Sequence, residues 1–226
     1  MKAISSIALS LVFSALAPAQ TAEEIMTSVR QVTVLQKQQT LNGVIRKKSK
    51  KTPLTLFLRG ENIQFMIDGG KDGFHLRLKD SSAELWDITN GKAKRFPARK
   101  ISTPVVNTDL SYEDLALKFL YWKNPRIVGS QLVKGQDCWR IHVANPERSG
   151  NYREVSVWVT KKHRALAKVV GYGPRPAAMP LKQFEITDVM KVNGVFTVEK
   201  MKVNRYNEKR QVVGTTHLEF SQRRGR

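Results

Sequence analysis

Tyr152–Tyr172, YREVSVWVTKKHRALAKVVGY, is the stretch that decides the fold class. Val155, Val157 and Val159 alternate with Glu154, Ser156, Trp158 and Thr160, and Lys161-Lys162-His163-Arg164 then turns the chain into a second β-branched run. Alternation with a period of two, bounded by polar residues, predicts a half-buried antiparallel hairpin. On its C-terminal side similar runs occur at Gln183–Val189, Phe196–Asn204 and Val212–Phe220, and just before it at Ile127–Lys134 and Asp137–Ala144. Further back, Leu41–Lys47, Leu54–Arg59, Ile63–Asp68, Phe74–Leu78, Glu84–Ile88 and Ala93–Phe96 are each read as a short strand. Turns such as Gly60-Glu61-Asn62 and Asp68-Gly69-Gly70 supply the positive-φ residues that tight reversals need. A sheet this long has to curl, close or be covered.

Two helices interrupt the strands. Thr21-Ala22-Glu23-Glu24 has the form of a capping box, and Ile25, Val29, Val32 and Leu35 follow at helical spacing, which predicts an amphipathic helix over Ala22–Gln36. Ser111 and Asp114 repeat the capping pattern before Leu115, Phe119 and Leu120, so a second helix is expected over Ser111–Leu120. Gly173 to Pro180, with three prolines, reads as an irregular crossing, and 222–226 as a basic, disordered tail.

The first 19 residues read as an address, not as fold. Met1-Lys2 is a positive n-region, Ala3–Leu16 an apolar stretch and Ala17-Pro18-Ala19 an A-x-A cleavage site, the pattern of a signal peptide cut after Ala19. The apolar stretch is too short to span a bilayer stably. The mature chain is then expected to be exported, monomeric and a single domain over 20–221, with no lipid-accepting cysteine behind the leader. Cys138 is the only cysteine, so no internal disulfide is available. The chain has 39 Lys and Arg against 19 Asp and Glu, a formal charge of +20. Outside the cytoplasm such an excess favours anionic membrane surfaces over nucleic acid.

Motifs for chemistry are missing. Cys138 and His142 lie about 13 Å apart along one strand, too far to pair. His75, His142, His163 and His217 have no metal-ligand spacing, and no C-x-x-C, phosphate loop or nucleophile elbow occurs. No enzyme, metal or cofactor is expected. Apolar residues do stand on more faces than one core requires: Phe57 opposes Leu54, Leu56 and Leu58, while Trp139, Ile141 and Val143 oppose the face that carries Cys138. Those groups either fill an ordinary core or form an apolar ligand surface under helices.

An export signal, an N-terminal helix, a set of short strands, a second helix and a further run of strands resemble the outer membrane lipoprotein-sorting family, the LolA/LolB-like periplasmic carriers. Leu56-Phe57-Leu58-Arg59-Gly60-Glu61-Asn62-Ile63-Gln64-Phe65 is similar to that family's strand, Arg-Pro, strand signature, with Gly60 in place of Pro and Phe65 in place of Trp. Glu84-Leu85-Trp86-Asp87-Ile88 and Gly135-Gln136-Asp137-Cys138-Trp139 resemble its later strands. The resemblance implies a mainly β (α+β) fold, a strongly curved antiparallel sheet or half-open β-barrel of about 11 strands with both helices over its concave face. It implies a periplasmic, non-enzymatic carrier of lipoprotein acyl chains, with an inner-membrane release complex and an outer-membrane receptor as partners. Phe57, Ile63, Phe65, Leu76, Trp86, Trp139, Trp158 and Phe196 would line the cavity, and Arg59 would hold the lid by hydrogen bonds to helix carbonyls. A periplasmic sensor that binds a membrane signalling protein on the same scaffold is the alternative reading.

Overall fold

The computed structural model describes residues 20–34, 38–79, 82–89, 92–106, 108–147, 150–173, 179–192 and 194–222. The expected leader 1–19, the centre of the breaker-rich loop at 174–178 and the tail from 223 onward lie outside the described residues. Helix α1, Ala22–Val34, starts at the capping box read from the sequence. The Thr21 N–H donates to Glu24 Oε2 at 2.9 Å and the Glu24 N–H donates to Thr21 Oγ1 at 3.2 Å. Ala22, Ile25, Met26 and Val29 are buried along one side of it. Residues 35–37, where the expected helix ended, are outside the described set.

Six strands follow: β1 Gln39–Lys47, β2 Lys50–Arg59, β3 Asn62–Ile67, β4 Asp72–Lys79, β5 Ser82–Thr89 and β6 Lys92–Arg95. After a connecting segment come β7 Arg126–Val133, β8 Gln136–Ala144, β9 Glu154–Thr160, β10 Leu166–Tyr172, β11 Pro180–Val192, β12 Val195–Tyr206 and β13 Val212–Gln222. The described residues form thirteen strands where a barrel of about 11 was expected, because every short run pairs separately with its neighbour across a tight turn. All thirteen form one antiparallel sheet in the order β6-β5-β4-β3-β2-β1-β13-β12-β11-β10-β9-β8-β7. β1 pairs with β13, so the two meanders meet in the middle and β6 and β7 are left as the edges. Gln222, placed in the tail by sequence, instead closes β13 opposite Leu41. Pro53 lies inside β2 opposite Val44 of β1, one residue beyond the last pair with β3, Leu54 with Ile67.

One face of the sheet is apolar along its length. Leu54, Leu56 and Leu58 of β2, Ile63, Phe65 and Ile67 of β3, and Phe74, Leu76 and Leu78 of β4 are all buried on it, as are Leu218 of β13 and Val203 of β12 in the middle of the sheet. Phe74 has no exposed surface, stacks on Phe65 with centroids 4.3 Å apart and meets Tyr112 edge-on at 5.4 Å. The outer face carries charge. Following the register across seven strands, Arg46, His217, Lys202, Glu185, Lys168, Trp158 and Arg140 stand in one transverse row.

The segment between β6 and β7 crosses the apolar face. Its helix α2, Tyr112–Ala116, is shorter than the expected Ser111–Leu120. The capping box is present: Ser111 Oγ accepts from the Asp114 N–H, and the Asp114 carboxylate accepts from the Ser111 N–H. Leu117 then takes a left-handed conformation at φ 49° and a 3-10 turn, Lys118–Tyr121, continues. That break lets Leu115, Phe119 and Leu120 all be buried.

Phe74→Ala is expected to cost about 3–5 kcal/mol of unfolding free energy, read as a shift in urea midpoint. Phe57→Ala, on the outer face of β2, should cost clearly less; equal losses would mean that the faces are misassigned.

Candidate functional site

A cavity of about 260 Å3 lies between the apolar face and the segments that cross it. Its walls combine Leu56, Leu58, Phe65 and Leu76 from one half of the sheet with Ile186, Met201 and Leu218 from the other. Strands so distant in the sheet share one cavity only because the sheet curves around it. Val29 of α1 and Leu115, Leu120 and Tyr121 of the crossing segment form the cover. Val189 and Phe196, 49% and 62% exposed, mark the mouth.

The cover is pinned at three buried or half-buried carboxylates. Asp109, with 1% of its side chain exposed, accepts from Lys47 Nζ at 3.0 Å, Arg205 Nε at 2.8 Å and Thr216 Oγ1 at 3.0 Å. Burial alone would raise that carboxyl, but the hydrogen bonds from Arg205, Lys47 and Thr216 outweigh it and hold it below the ordinary range. Asp72 of β4 accepts from the Tyr112 hydroxyl and from Lys100 Nζ; burial, then that bond to a carboxylate, pushes the Tyr112 phenol upward. Asp114, with no exposed side-chain surface, accepts from Tyr152 Oη at 2.5 Å through Oδ1 and from Lys182 Nζ and the Ser111 N–H, both at 2.7 Å, through Oδ2. Gly171 makes room for the Tyr152 ring and Gly214 for the Asp109 carboxylate, since a Cβ at either position would collide with them.

Arg30 ties helix α1 to the crossing segment. Arg30 Nη1 donates to the Leu120 carbonyl at 2.8 Å, and its Nη2 donates to Glu23 at 2.7 Å and Thr27 at 2.6 Å. The guanidinium lies over the Tyr121 ring.

A second arginine reaches the cavity from the opposite side. Arg164, in the turn between β9 and β10, holds a left-handed backbone at φ 55°, a conformation that costs a non-glycine residue about 1–2 kcal/mol. Thr160 keeps the turn closed: its carbonyl accepts from the Arg164 N–H at 3.0 Å and its Oγ1 from the Ala165 N–H at 3.1 Å. The guanidinium stacks on Trp139 at 4.3 Å, and its buried Nη1 has no hydrogen-bond partner among the described protein atoms. Leaving a buried donor unpaired costs on the order of 1–3 kcal/mol.

Of the residues expected to line a cavity, Ile63, Phe65, Leu76 and Phe196 do line this one. Phe57 pairs with Gln64 and Trp86 with His75, which places both on the outer face. Trp139 packs against the main core beneath Arg164. Trp158 sits on the outer face in a separate small cluster with Cys138 and Val170; its Nε1 donates to Gln131 Oε1 at 2.9 Å between Arg140 and Lys168. Arg59 is exposed at the end of β2 on the face of Phe57; burial first, then the charges of Arg59 and Arg77, hold the His75 imidazole below its ordinary range. The guanidinium that reaches a carbonyl of the cover is that of Arg30. Neither Arg30 nor Arg164 stands out in the sequence, one being a helix-surface cation and the other the end of a Lys-Lys-His-Arg turn.

Cys138 is fully buried on the outer face, and burial pushes its thiol up, away from reactivity. His142 faces Glu154 at 3.3 Å. Among the described residues no group of three or more His, Cys, Asp or Glu is placed to hold a metal ion, and no helix is long and apolar enough to cross a membrane.

A family model described as "-like: Uncharacterized protein" matches residues 76–224. No curated protein matches the chain. Among solved structures, a LolA superfamily protein from Nitrosomonas europaea superposes with a TM-score of 0.67 at 16% identity, over 90% of this chain and 93% of that one. A domain named for outer membrane lipoprotein sorting, from Vibrio parahaemolyticus, gives 0.70 at 16% identity over 89% and 90%. A DUF1329 family protein from Desulfovibrio piger gives 0.64 at 18% identity over 90% and 92%. These likenesses are of fold.

Asp114→Ala is expected to lower unfolding free energy by about 3–5 kcal/mol because it strands Lys182 without its buried partner, whereas Lys161→Ala at the exposed pair with Asp137 should cost less than about 1 kcal/mol. Denaturant titration of both variants measures the contrast. Glu113 gives a pH signature. Burial, outweighing the Asn151 N–H bond and reinforced by Asp114, raises its carboxyl in the folded state. Its contribution to stability is therefore full in acid and lost as pH rises through the raised value. Glu113→Gln should unfold at higher urea than the parent at pH 7 and approach it at pH 4; a gap that widens in acid would contradict the assignment.

Proposed function

The chain belongs to the family of uncharacterized proteins whose model spans its residues 76–224, and from its LolA-superfamily fold and covered cavity we propose that it is a periplasmic carrier of acyl chains, those of lipoproteins or related lipids. The observation that carries the reading is the apolar cavity under a cover formed by Val29 of α1 and by Leu115, Ala116, Leu117, Leu120 and Tyr121 of the crossing segment. A solved structure of similar fold that is named for outer membrane lipoprotein sorting supports the class of cargo. The reading is of a binding protein: it requires no reaction, and the buried polar groups near the cavity serve as anchors.

At about 260 Å3 the cavity is slightly below the ~300 Å3 at which small-molecule sites begin. A long acyl chain therefore enters as part of the cover moves aside. The 105–114 segment is tied by three carboxylates, whereas α1 is tied across to the cover by the Arg30 bond to Leu120. We assign the motion to α1, with Arg30 in the latching role expected of Arg59. Each CH2 then buried contributes about 0.8 kcal/mol. The cationic row on the outer face, Arg46 to Arg140, favours approach to anionic head groups, at about 1 kcal/mol per cation near the surface.

One observation favours the sensor alternative. Edge strand β7 is uncharged from Ile127 to Val133 and exposes Ile127, Val128 and Leu132, whereas the other edge, β6, carries three cations in four residues. An unprotected edge invites a partner strand.

Native mass spectrometry of the protein isolated from its own envelope, followed by organic extraction, is expected to detect lipid or a lipidated polypeptide. A bare protein mass together with no binding of added acylated peptide would reject the carrier and leave the sensor reading. In stopped-flow experiments with a fluorescent fatty acid, Arg30→Ala should release the probe about ten-fold faster, the loss of one charge-assisted hydrogen bond.

A further inference from the structure

We propose that Arg164 is the polar anchor of the cavity and that it binds the carbonyl-type oxygen at the head of an acyl chain. The inference rests on the reading of the cavity as an acyl-chain site and adds what that site recognises. Among the described residues, two with charged side chains line the cavity, Asp114 and Arg164. The Asp114 carboxylate is fully engaged, one oxygen with Tyr152 and the other with Lys182 and Ser111. Arg164 is not: its Nη1 is buried and has no hydrogen-bond partner among the described protein atoms.

Its geometry is fixed in advance. Stacking on Trp139 at 4.3 Å sets the plane of the guanidinium, and the turn closed on Thr160 sets the backbone in a left-handed conformation that an arginine adopts at a cost. A guanidinium offers only donors, so its missing partner is an acceptor oxygen, and its fork matches a carboxylate best. The cavity walls include Leu56, Phe65, Leu76 and Leu166, which offer hydrocarbon contact. The ligand is then a hydrocarbon tail with one acceptor head: a free fatty acid, presenting a carboxylate, or the acyl group of a lipid-modified polypeptide, presenting an ester or amide carbonyl.

The test is equilibrium binding of hexadecanoate, hexadecanol and an N-hexadecanoyl peptide to the full chain and to its Arg164→Met and Arg164→Lys variants, by displacement of a fluorescent probe. The parent should bind hexadecanoate about ten-fold more tightly than hexadecanol. Arg164→Met should weaken hexadecanoate more than hexadecanol and so remove that preference, the hexadecanol binding that remains reporting an intact cavity, and Arg164→Lys should restore part of it. A matching loss for the peptide identifies the source as a protein-linked acyl group; a loss for hexadecanoate alone identifies a fatty acid. Equal affinity of the parent for hexadecanoate and hexadecanol, or an equal loss of both in Arg164→Met, overturns the anchor and leaves the carrier reading standing. Failure of the parent to bind any of the three overturns both.

Discussion

Asp114 is the point on which the cover depends. Its carboxylate has no contact with solvent, and its burial is offset by a lysine from β11, a tyrosine just before β9 and the backbone of its own helix cap. An ion pair in such a place contributes little net stability over an apolar substitute, but removing one partner strands a buried charge. What it supplies is a defined position: α2 is held over one half of the curved sheet while Tyr112, two residues earlier, is bonded to Asp72 in the other half. Asp109 fixes the same segment to β1, β12 and β13 in the middle. A short stretch of chain thereby spans an open sheet whose two edges do not meet.

That arrangement divides the cover into two differently anchored parts. Buried, charge-assisted bonds hold 105–114 at several points, and the aromatic group Phe65, Phe74, Phe96 and Tyr112 packs beneath it. α1 by contrast lies on the core through one stripe of Ala22, Ile25, Met26 and Val29 and reaches the cover through Arg30. Regions with few buried contacts open at lower free energy than the core. On the proposed carrier reading, uptake of a ligand larger than the resting cavity is assigned to the helix.

Charge is segregated in the same way. The basic excess is distributed along the outer face, where Arg46, Lys202, Lys168 and Arg140 alternate with His217, Glu185 and Trp158 across the strands. Burial and the flanking cations Arg46 and Lys202 hold His217 below its ordinary range. The interior admits charge only where a partner is supplied, with Arg164 as the exception among the described residues lining the cavity.

The sequence by itself determined the local structure. Period-two runs located the strands, although about 11 were expected and the described residues form thirteen, and both capping boxes located the helix starts at Thr21 and Ser111, because strand alternation and cap hydrogen bonds are satisfied within a few residues. It also determined that one face of most strands is apolar. What it left open was which of two faces is inside and which distant side chains meet. Trp139 and Trp158 look alike in sequence, yet the register that pairs Trp139 with Val159 and Arg140 with Trp158 turns them to opposite sides of the sheet. Asp114 read as a cap and became a buried anchor only when Lys182 and Tyr152, 68 and 38 residues away, were brought to it. Arg30 and Arg164 were surface cations until the curvature of the sheet put a carbonyl beside one and a cavity beside the other. Those assignments belong to the tertiary structure because curvature and burial are properties of the whole sheet, and no single strand encodes them.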